Sequence, residues 1–235
     1  MKKILLWIFA LIIVMDASFL IYAADYYHAD PTALLALESD KTVQVSKTDY
    51  GWFFDSPETD SALIFYPGAK VEETSYAPLA HEIADRGIDV CLVKMPLRFA
   101  ILNQNKARSV IGEYDYDHWY IGGHSLGGVC AAMYASKNPD EIEGVVLLGS
   151  YANQKLDDSQ EALLIYGSHD QVLNQEQYAE NQKNLPYETK ETVIEGGNHA
   201  QFGSYGDQKG DGEAEVTQDE QIEITAEEIE HFIHR

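Results

Sequence analysis

The residues best suited to chemistry surround a serine in a glycine-rich turn. Residues 119–122 are a short apolar run, and residues 123–127 read Gly-His-Ser-Leu-Gly with Ser125 at the centre. Glycines two positions before and after the serine let a strand and a helix pass closely around a sharp, strained turn. The pattern is typical of a nucleophile elbow, in which the serine hydroxyl and the backbone N–H of Leu126 face the same space. That N–H lies where a helix begins, so it could stabilise a developing oxyanion. The alternative is a strand-to-helix turn with an idle serine.

A serine nucleophile needs a general base and an acid that orients the base. Among the eight histidines, His199 follows the last strand-like segment in a glycine-bearing loop, and we predict that it is the base. Asp170 follows the preceding strand-like segment, and we predict that it orients the histidine. Asp157 and Asp158 are less suitable acids because they lie in the connector before that strand. A solvated histidine and an aspartate that only caps a turn are the alternatives.

A second oxyanion donor is expected in the loop after the first parallel strand. Residues 65–70 end an apolar run with Phe-Tyr-Pro-Gly-Ala-Lys. Gly68 permits a tight turn, and the backbone N–H of Ala69 is the candidate donor. The alternative is an ordinary Pro-Gly turn.

Strand and helix patterns alternate along the chain and must position these residues. Two strands are predicted at 43–47 and 51–54 as an antiparallel sheet edge. Further strands are predicted at 62–66, 88–94, 119–122, 144–148, 162–166 and 188–194, and helices at 76–86, 103–113, 126–137 and 176–184, with a last helix after a capping box at 217–220. This alternation predicts an α/β fold with a mostly parallel sheet, helices on both faces and ligands at the carboxyl ends of the strands.

The charge balance excludes some partners. The chain has 16 basic and 39 acidic residues among 235, a net charge of −23. Such a charge repels nucleic acid and anionic lipid, so no nucleic-acid partner is expected. The length suits one domain, and the acidity is typical of a solubilising surface or an adaptation to salt.

The amino-terminal residues predict export. Lys2 and Lys3 precede an apolar stretch that extends to Ala24 and contains one charge, Asp16. Its length is sufficient to span a bilayer, and the lysines form a positive-inside flank. We expect an uncleaved anchor at 1–24, a connector at 25–42 and a domain at 43–235 outside the cytoplasm. Secretion after signal cleavage is the alternative.

Other residues with possible binding chemistry give weaker indications. Cys91 and Cys130 have the surroundings of buried fillers, and their spacing leaves a disulfide open. Residues 207–213 contain spaced acidic groups, but Lys209 occupies a calcium-ligand position and Gln218 stands where the terminal glutamate should be. No metal and no cofactor are therefore expected, and the oligomeric state is left open.

Four motifs together resemble the α/β-hydrolase superfamily from about residue 43 to 235. They lie at 66–69, 123–128, 167–170 and 197–199, in the order expected for that fold. The chain is similar to a small bacterial branch with an N-terminal hydrophobic anchor, and residues 94–100 and 202–206 resemble further segments of it. Serine as nucleophile distinguishes the chain from the cysteine-based dienelactone hydrolases of similar minimal fold. The resemblance implies a serine hydrolase, carboxylesterase- or lipase-like, that cleaves esters through an acyl-enzyme.

The short connector at 149–161 leaves no room for the separate lid domain of many relatives. We therefore expect an open, shallow pocket for short or medium acyl groups, with Met95, Leu97, Phe99 and Tyr151 around it. The equal alternative for each of these side chains is a structural role in the hydrophobic core. Lys94 and Arg98 are rare positive charges near the predicted site, where they either attract an anionic group or remain solvated.

Two other functions use the same scaffold. An acyltransferase would employ the same three residues and pass the acyl group to an acceptor other than water. A binding protein on a retired hydrolase scaffold need not keep all three. The partner expected is a small-molecule ester or lipid-like substrate, with membrane contact through the N-terminal segment.

Overall fold

The computed structural model describes residues 2–57 and 59–234, so Met1, Glu58 and Arg235 lie outside the described part. An eight-stranded sheet forms the centre of the protein. In chain order its strands are β1 (Gln44–Lys47), β2 (Gly51–Asp55), β3 (Ser61–Tyr66), β4 (Asp89–Val93), β5 (His118–His124), β6 (Gly144–Leu148), β7 (Glu161–Gly167) and β8 (Glu188–Ile194).

The sheet is mostly parallel. Its strand order is β1-β2-β4-β3-β5-β6-β7-β8. The six strands β3 to β8 run in the same direction, whereas β1 and β2 add an antiparallel edge. This confirms the predicted α/β fold and its sheet. Because parallel strands are buried on both faces, β3 is apolar after its first residue, Ser61. Leu63 and Phe65 join the core on one face, while Ala62 and Ile64 join the core on the other.

Helices cover both faces of the sheet, as the alternation of elements predicts. The helices are α1 (Lys2–Ala24), α2 (Pro31–Leu35), α3 (Ala77–Asp85), α4 (Lys106–Ile111), α5 (Leu126–Ala135), α6 (Gln175–Asn181) and α7 (Gln218–Ile233). Ile83 of α3 and Ile229 of α7 join the core that contains Leu63. Val110 of α4, Ala131 of α5 and Tyr178 of α6 join the core that contains Ile64.

Local sequence signals account for most helix boundaries and explain where the predicted helices differ from the observed ones. Thr217 and Glu220 form the predicted capping box at the start of α7. The helix expected from residue 103 begins only at 106, because residues 100–103 form a separate 3-10 turn. The sequence does not predict helix α2, because five residues are too few to show a repeating apolar pattern. Asp30 caps this helix by accepting the N–H of Ala33.

The carboxyl edge of the sheet has no inserted domain over it. Strand β6 ends at Leu148, β7 begins at Glu161, and no helix or strand lies in residues 149–160. The prediction of no separate lid domain is confirmed. The two cysteines are unpaired and buried, Cys91 in β4 and Cys130 in α5.

Helix α1 extends from the domain. It has a mean hydropathy of 2.7 and is long and apolar enough to cross a membrane by length and composition, a test that signal sequences also pass. Its last turns contact the domain, where the rings of Phe19 and Tyr22 lie 5.5 and 6.2 Å from that of Phe99. The chain after it is bonded to the loop behind β3, because Tyr27 pairs with Val71 in a parallel bridge. The first residues of the expected connector therefore belong structurally to the domain.

Candidate active site

The serine turn joins β5 to α5 and is held in a strained conformation. Ser125 has φ 53° and ψ −126°, the left-handed side of backbone space that costs a non-glycine residue roughly 1–3 kcal/mol. The flanking glycines are required by packing. A Cβ atom would lie 2.5 Å from the carbonyl oxygen of Tyr66 at Gly123, and 2.1 Å from it at Gly127. The turn is therefore sharp, strained and closely packed.

Asp170 and His199 meet beside this turn, after β7 and β8. Their Oδ2 and Nδ1 atoms are 2.8 Å apart, and both side chains are almost completely buried. The other carboxylate oxygen of Asp170 accepts the backbone N–H groups of Val172 and Leu173 at 2.9 and 2.8 Å. Because a carboxylate accepts, the ring proton of His199 is assigned to Nδ1 and Nε2 is left as an acceptor.

The free face of the histidine shares a cavity with the serine. Nε2 of His199 is buried and has no hydrogen-bond partner among the described residues. Ser125 and His199 both line a cavity of about 210 Å³. Gly149 has φ 51°, and a Cβ atom there would lie 2.8 Å from Nδ1 of His199, so only glycine leaves space for the pair. The remaining lining residues are Leu126, Val129, Gly149, Ser150, Tyr151, Val172, Leu173 and Asn174.

The loop after β3 packs against the first turn of α5. Gly68 donates its N–H to the hydroxyl of Tyr76 at 3.1 Å, so that group is already bonded. The N–H groups of Ala69 and Leu126 have no acceptor among the residues that the structure describes. Two backbone donors without acceptors thus lie on adjoining segments near the serine, although Ala69 itself does not line the cavity.

A second histidine lies behind the first. The ring centroids of His124 and His199 are 4.3 Å apart, and Nδ1 of His124 lies 2.8 Å from the hydroxyl oxygen of Tyr76. Burial, followed by the neighbouring His199, holds the pKa of His124 well below its ordinary value. A neutral His124 and Tyr76 therefore connect the serine turn to Gly68 of the neighbouring loop.

The histidine loop is held by side chains that sequence reasoning missed. Gln221, buried on α7, accepts the N–H of Asn198 at 3.0 Å and donates to its carbonyl at 2.8 Å. Asp211 accepts the N–H of Ala200 at 2.8 Å. Gln221 lies four residues before Thr225, and this shared buried face was the available signal. Asp211 belongs to the acidic stretch 207–213, for which the sequence predicts no calcium site.

The expected pocket residues separate into two groups. Tyr151 lines the cavity beside Ser125, whereas Met95, Leu97 and Phe99 are not among the residues lining it. Leu97 and the next residue both have positive φ, which turns the chain away, and Phe99 packs on the end of α1 instead. Asp157 is exposed and bonded to Ser159.

A larger cavity of about 510 Å³ is lined by the residues before and after His199 and does not include Ser125. Its lining includes Asp207, Asp211 and Glu213, with Asn198 and Ala200. Within residues 2–57 and 59–234, no group of three or more histidine, cysteine, aspartate or glutamate side chains could hold a metal ion.

Comparison with known proteins agrees with this architecture. Residues 62–223 match a family model described as the alpha/beta hydrolase family. No curated protein matches the chain at a significant level. Three solved structures illustrate the fold; each is covered over its full length.

A predicted CIB-like hydrolase from Thermoplasma acidophilum is 15% identical over 82% of this chain, with a TM-score of 0.57. Est1E from Butyrivibrio proteoclasticus is 14% identical over 83%, with a TM-score of 0.56. TT1662 from Thermus thermophilus is 12% identical over 83%, with a TM-score of 0.58.

Proposed function

Because this chain belongs to the alpha/beta hydrolase family, we propose that it is a serine hydrolase in which Ser125, His199 and Asp170 form the catalytic triad. One observation supports this most. The unpartnered Nε2 of a buried, aspartate-bonded His199 and the strained Ser125 share one cavity. Nε2 of the buried His124 also lacks a partner among the described residues, but His124 does not line that cavity, so the shared cavity distinguishes His199.

The proposed reaction proceeds in two steps. Nε2 of His199 takes the proton of the Ser125 hydroxyl as Oγ attacks the ester carbonyl carbon. The tetrahedral intermediate collapses, the bond to the alcohol oxygen breaks, and His199 gives its proton to the leaving alcohol. Water then attacks the acyl-enzyme as His199 takes its proton. The bond between the acyl carbon and Oγ of Ser125 breaks, His199 returns the proton to Oγ, and the acid is released. Asp170 keeps the ring oriented and stabilises its charged form throughout.

Backbone donors would stabilise the negative oxygen of each intermediate. We assign the N–H groups of Leu126 and Ala69 to this role, since neither has an acceptor among the described residues. Leu126 is at the N-terminus of α5, where the helix dipole favours negative charge. One lost oxyanion donor typically costs about 10²–10³ in kcat.

The proposed substrates are carboxylic esters with short or medium acyl chains. The cavity of about 210 Å³ is below the usual size of a pocket for drug-sized ligands, roughly 300–1,000 Å³. Val129, Tyr151 and Leu173 give the cavity an apolar lining, which suits an uncharged acyl group better than a charged acyl group.

Helix α1 supports a membrane location. We propose that it remains attached as an anchor and that the domain lies outside the cytoplasm. Two of its residues, Phe19 and Tyr22, pack on Phe99 of the domain. A segment that is removed after export has no need for such contacts.

Hydrolysis of p-nitrophenyl esters of increasing acyl length tests the proposal. The Ser125→Ala variant should lose roughly 10⁵-fold or more in kcat. Ser159→Ala, which removes an exposed hydroxyl bonded to Asp157 and outside the cavity, is the control and should retain the turnover. Short and medium esters should have the highest kcat/KM. Undiminished turnover by Ser125→Ala would contradict the triad, and a preference for long chains would contradict the shallow pocket.

A further inference from the structure

The largest local excess of basic over acidic residues lies directly after β4. Residues 94–112, here called the basic segment, contain four of the 16 basic residues and none of the 39 acidic ones. They also expose three large apolar side chains, with 41% of Leu97, 45% of Ile101 and 48% of Leu102 accessible. Cations beside exposed leucine and isoleucine are typical of a surface that rests on an anionic bilayer.

The basic segment adjoins the end of the apolar helix. Phe99, within the segment, packs against Phe19 of α1. The guanidinium of Arg98 lies 3.3 Å from the centre of the Tyr26 ring, just beyond α1. The exposed apolar surface of the segment is therefore continuous with that of the helix.

The backbone of the segment is strained where it turns outward. Leu97 and Arg98 both lie in the left-handed region, with φ 49° and 61°. Non-glycine residues there cost roughly 1–3 kcal/mol each, and such outliers cluster at binding sites. Nε of Arg98 is also buried without a partner among the described residues.

The segment lies at the same edge of the sheet as the candidate active site. It follows β4, and Ser125 follows β5; both strands pair in parallel with β3. Lys70, beside the proposed donor Ala69, bonds its N–H to the carbonyl of Arg98 at 3.0 Å. A surface seated on residues 97–102 would therefore hold the Ser125 edge close to the membrane.

We propose that the basic segment is a docking surface for a bilayer with anionic headgroups, and that it turns the carboxyl edge of the sheet toward the membrane. This rests on the proposed anchoring by α1. The positive segment faces the lipid, whereas the acidic residues of 207–213, which lie at the same edge beside the histidine loop, are repelled by it. Charge therefore tilts the tethered domain onto residues 97–102. Lys94 contributes least, since it is 3.3 Å from Glu73.

The test uses the full chain in phosphatidylcholine vesicles, with or without phosphatidylglycerol, that carry headgroup spin-labelled lipid. A fluorophore is attached at Leu102→Cys or, as control, at Tyr187→Cys, which is exposed just before β8 at the opposite edge. The native thiols resist labelling because burial raises the pKa of Cys91 to about 12 and that of Cys130 to about 11.

In vesicles with phosphatidylglycerol, the label at 102 should be strongly quenched and the label at 187 little affected. Lys106→Gln and Arg108→Gln should each lower the ratio of docked to undocked domain about fivefold. Lys183→Gln, an exposed charge before β8, should leave that ratio unchanged.

Flotation with the vesicles and hydrolysis of a soluble ester are measured on the same samples. Protein that floats but is quenched equally at both positions overturns the docking and leaves the anchoring intact. Protein that does not float overturns both. Energy transfer between labelled copies without lipid quenching at 102 would mean that a second copy covers the segment, which also overturns the proposal. A loss of ester hydrolysis alone concerns only the triad.

Discussion

The serine turn and the histidine loop reach the same cavity by different means. The serine turn is shaped by its own backbone: a positive φ at Ser125 and glycines that pack against the carbonyl of Tyr66. The histidine loop is held by side chains from later in the chain, Gln221 and Asp211. The conformation of the serine turn is encoded in five consecutive residues, whereas the position of the histidine loop depends on the tertiary fold. The two halves of the site should therefore fail differently when each is changed.

The largest effect is expected in the serine turn. Gly127→Ala would place a Cβ atom 2.1 Å from a backbone oxygen, so strand and helix must separate. We expect a loss of roughly 3 kcal/mol or more in the free energy of unfolding, measured with urea, and loss of the ester hydrolysis proposed for the triad. Gly112→Ala, at the end of α4 with its nearest contact at 3.5 Å, should change stability by about 0.5 kcal/mol or less. Equal stability of the two variants would contradict the packing argument.

The histidine loop should show the opposite balance, with activity more sensitive than the fold. Gln221→Leu leaves the N–H and carbonyl of Asn198 without partners, which should cost roughly 2 kcal/mol. Because small displacements of a catalytic group are costly, kcat should fall roughly 10- to 100-fold with little change in KM. Thr225→Val, on the same buried face of α7, removes a hydroxyl bonded only within the helix. It should lower stability and leave kcat unchanged; a similar fall in kcat would refute the positioning role.

His124 links the two halves, and its effect depends on pH. Because its pKa is held well below the ordinary 6.5, the unfolded chain binds a proton below that pH and the folded chain does not. Stability is therefore fully present above about pH 6.5 and is lost as pH falls, by at most about 1.4 kcal/mol per pH unit.

The difference between wild type and His124→Asn isolates this contribution. Asp89, whose pKa burial raises to about 6, gives the opposite slope but contributes to both proteins. Urea unfolding at several pH values measures the difference. If the free energy of unfolding falls equally with decreasing pH in the two proteins, His124 is protonated in the folded state, which contradicts this prediction.

The smallest effect is expected at the acidic stretch. Asp211→Ala removes the acceptor of the Ala200 N–H, next to His199, and should cost about 1 kcal/mol with a modest fall in kcat. Asp207→Ala removes an exposed carboxylate of the same stretch and should change stability by about 0.5 kcal/mol or less. If both variants behave alike in unfolding and turnover, Asp211 does not hold the loop.

The same contrast explains what the sequence could predict. Buried parallel strands, the capping box of Thr217 and the serine turn depend on neighbouring residues, so their patterns are visible locally. The meeting of Asp170 with His199 followed from strand order alone. Gln221 and Tyr76 could not be assigned to the site, because their contacts depend on how α7 and α3 pack. The prediction that Phe99 lies around the pocket was wrong for the same reason, because nothing in the neighbouring sequence shows that α1 covers this side chain.

In the proposed triad, Ser125 is the nucleophile that His199 activates. Labelling with a fluorophosphonate, followed by digestion and mass analysis, identifies the reactive residue. We expect one adduct per chain, on the peptide that contains Ser125, and no adduct in Ser125→Ala, whereas Ser159→Ala, which lacks an exposed hydroxyl outside the cavity, is still labelled. An adduct on another residue, or an unlabelled wild-type protein that is fully folded, would contradict it.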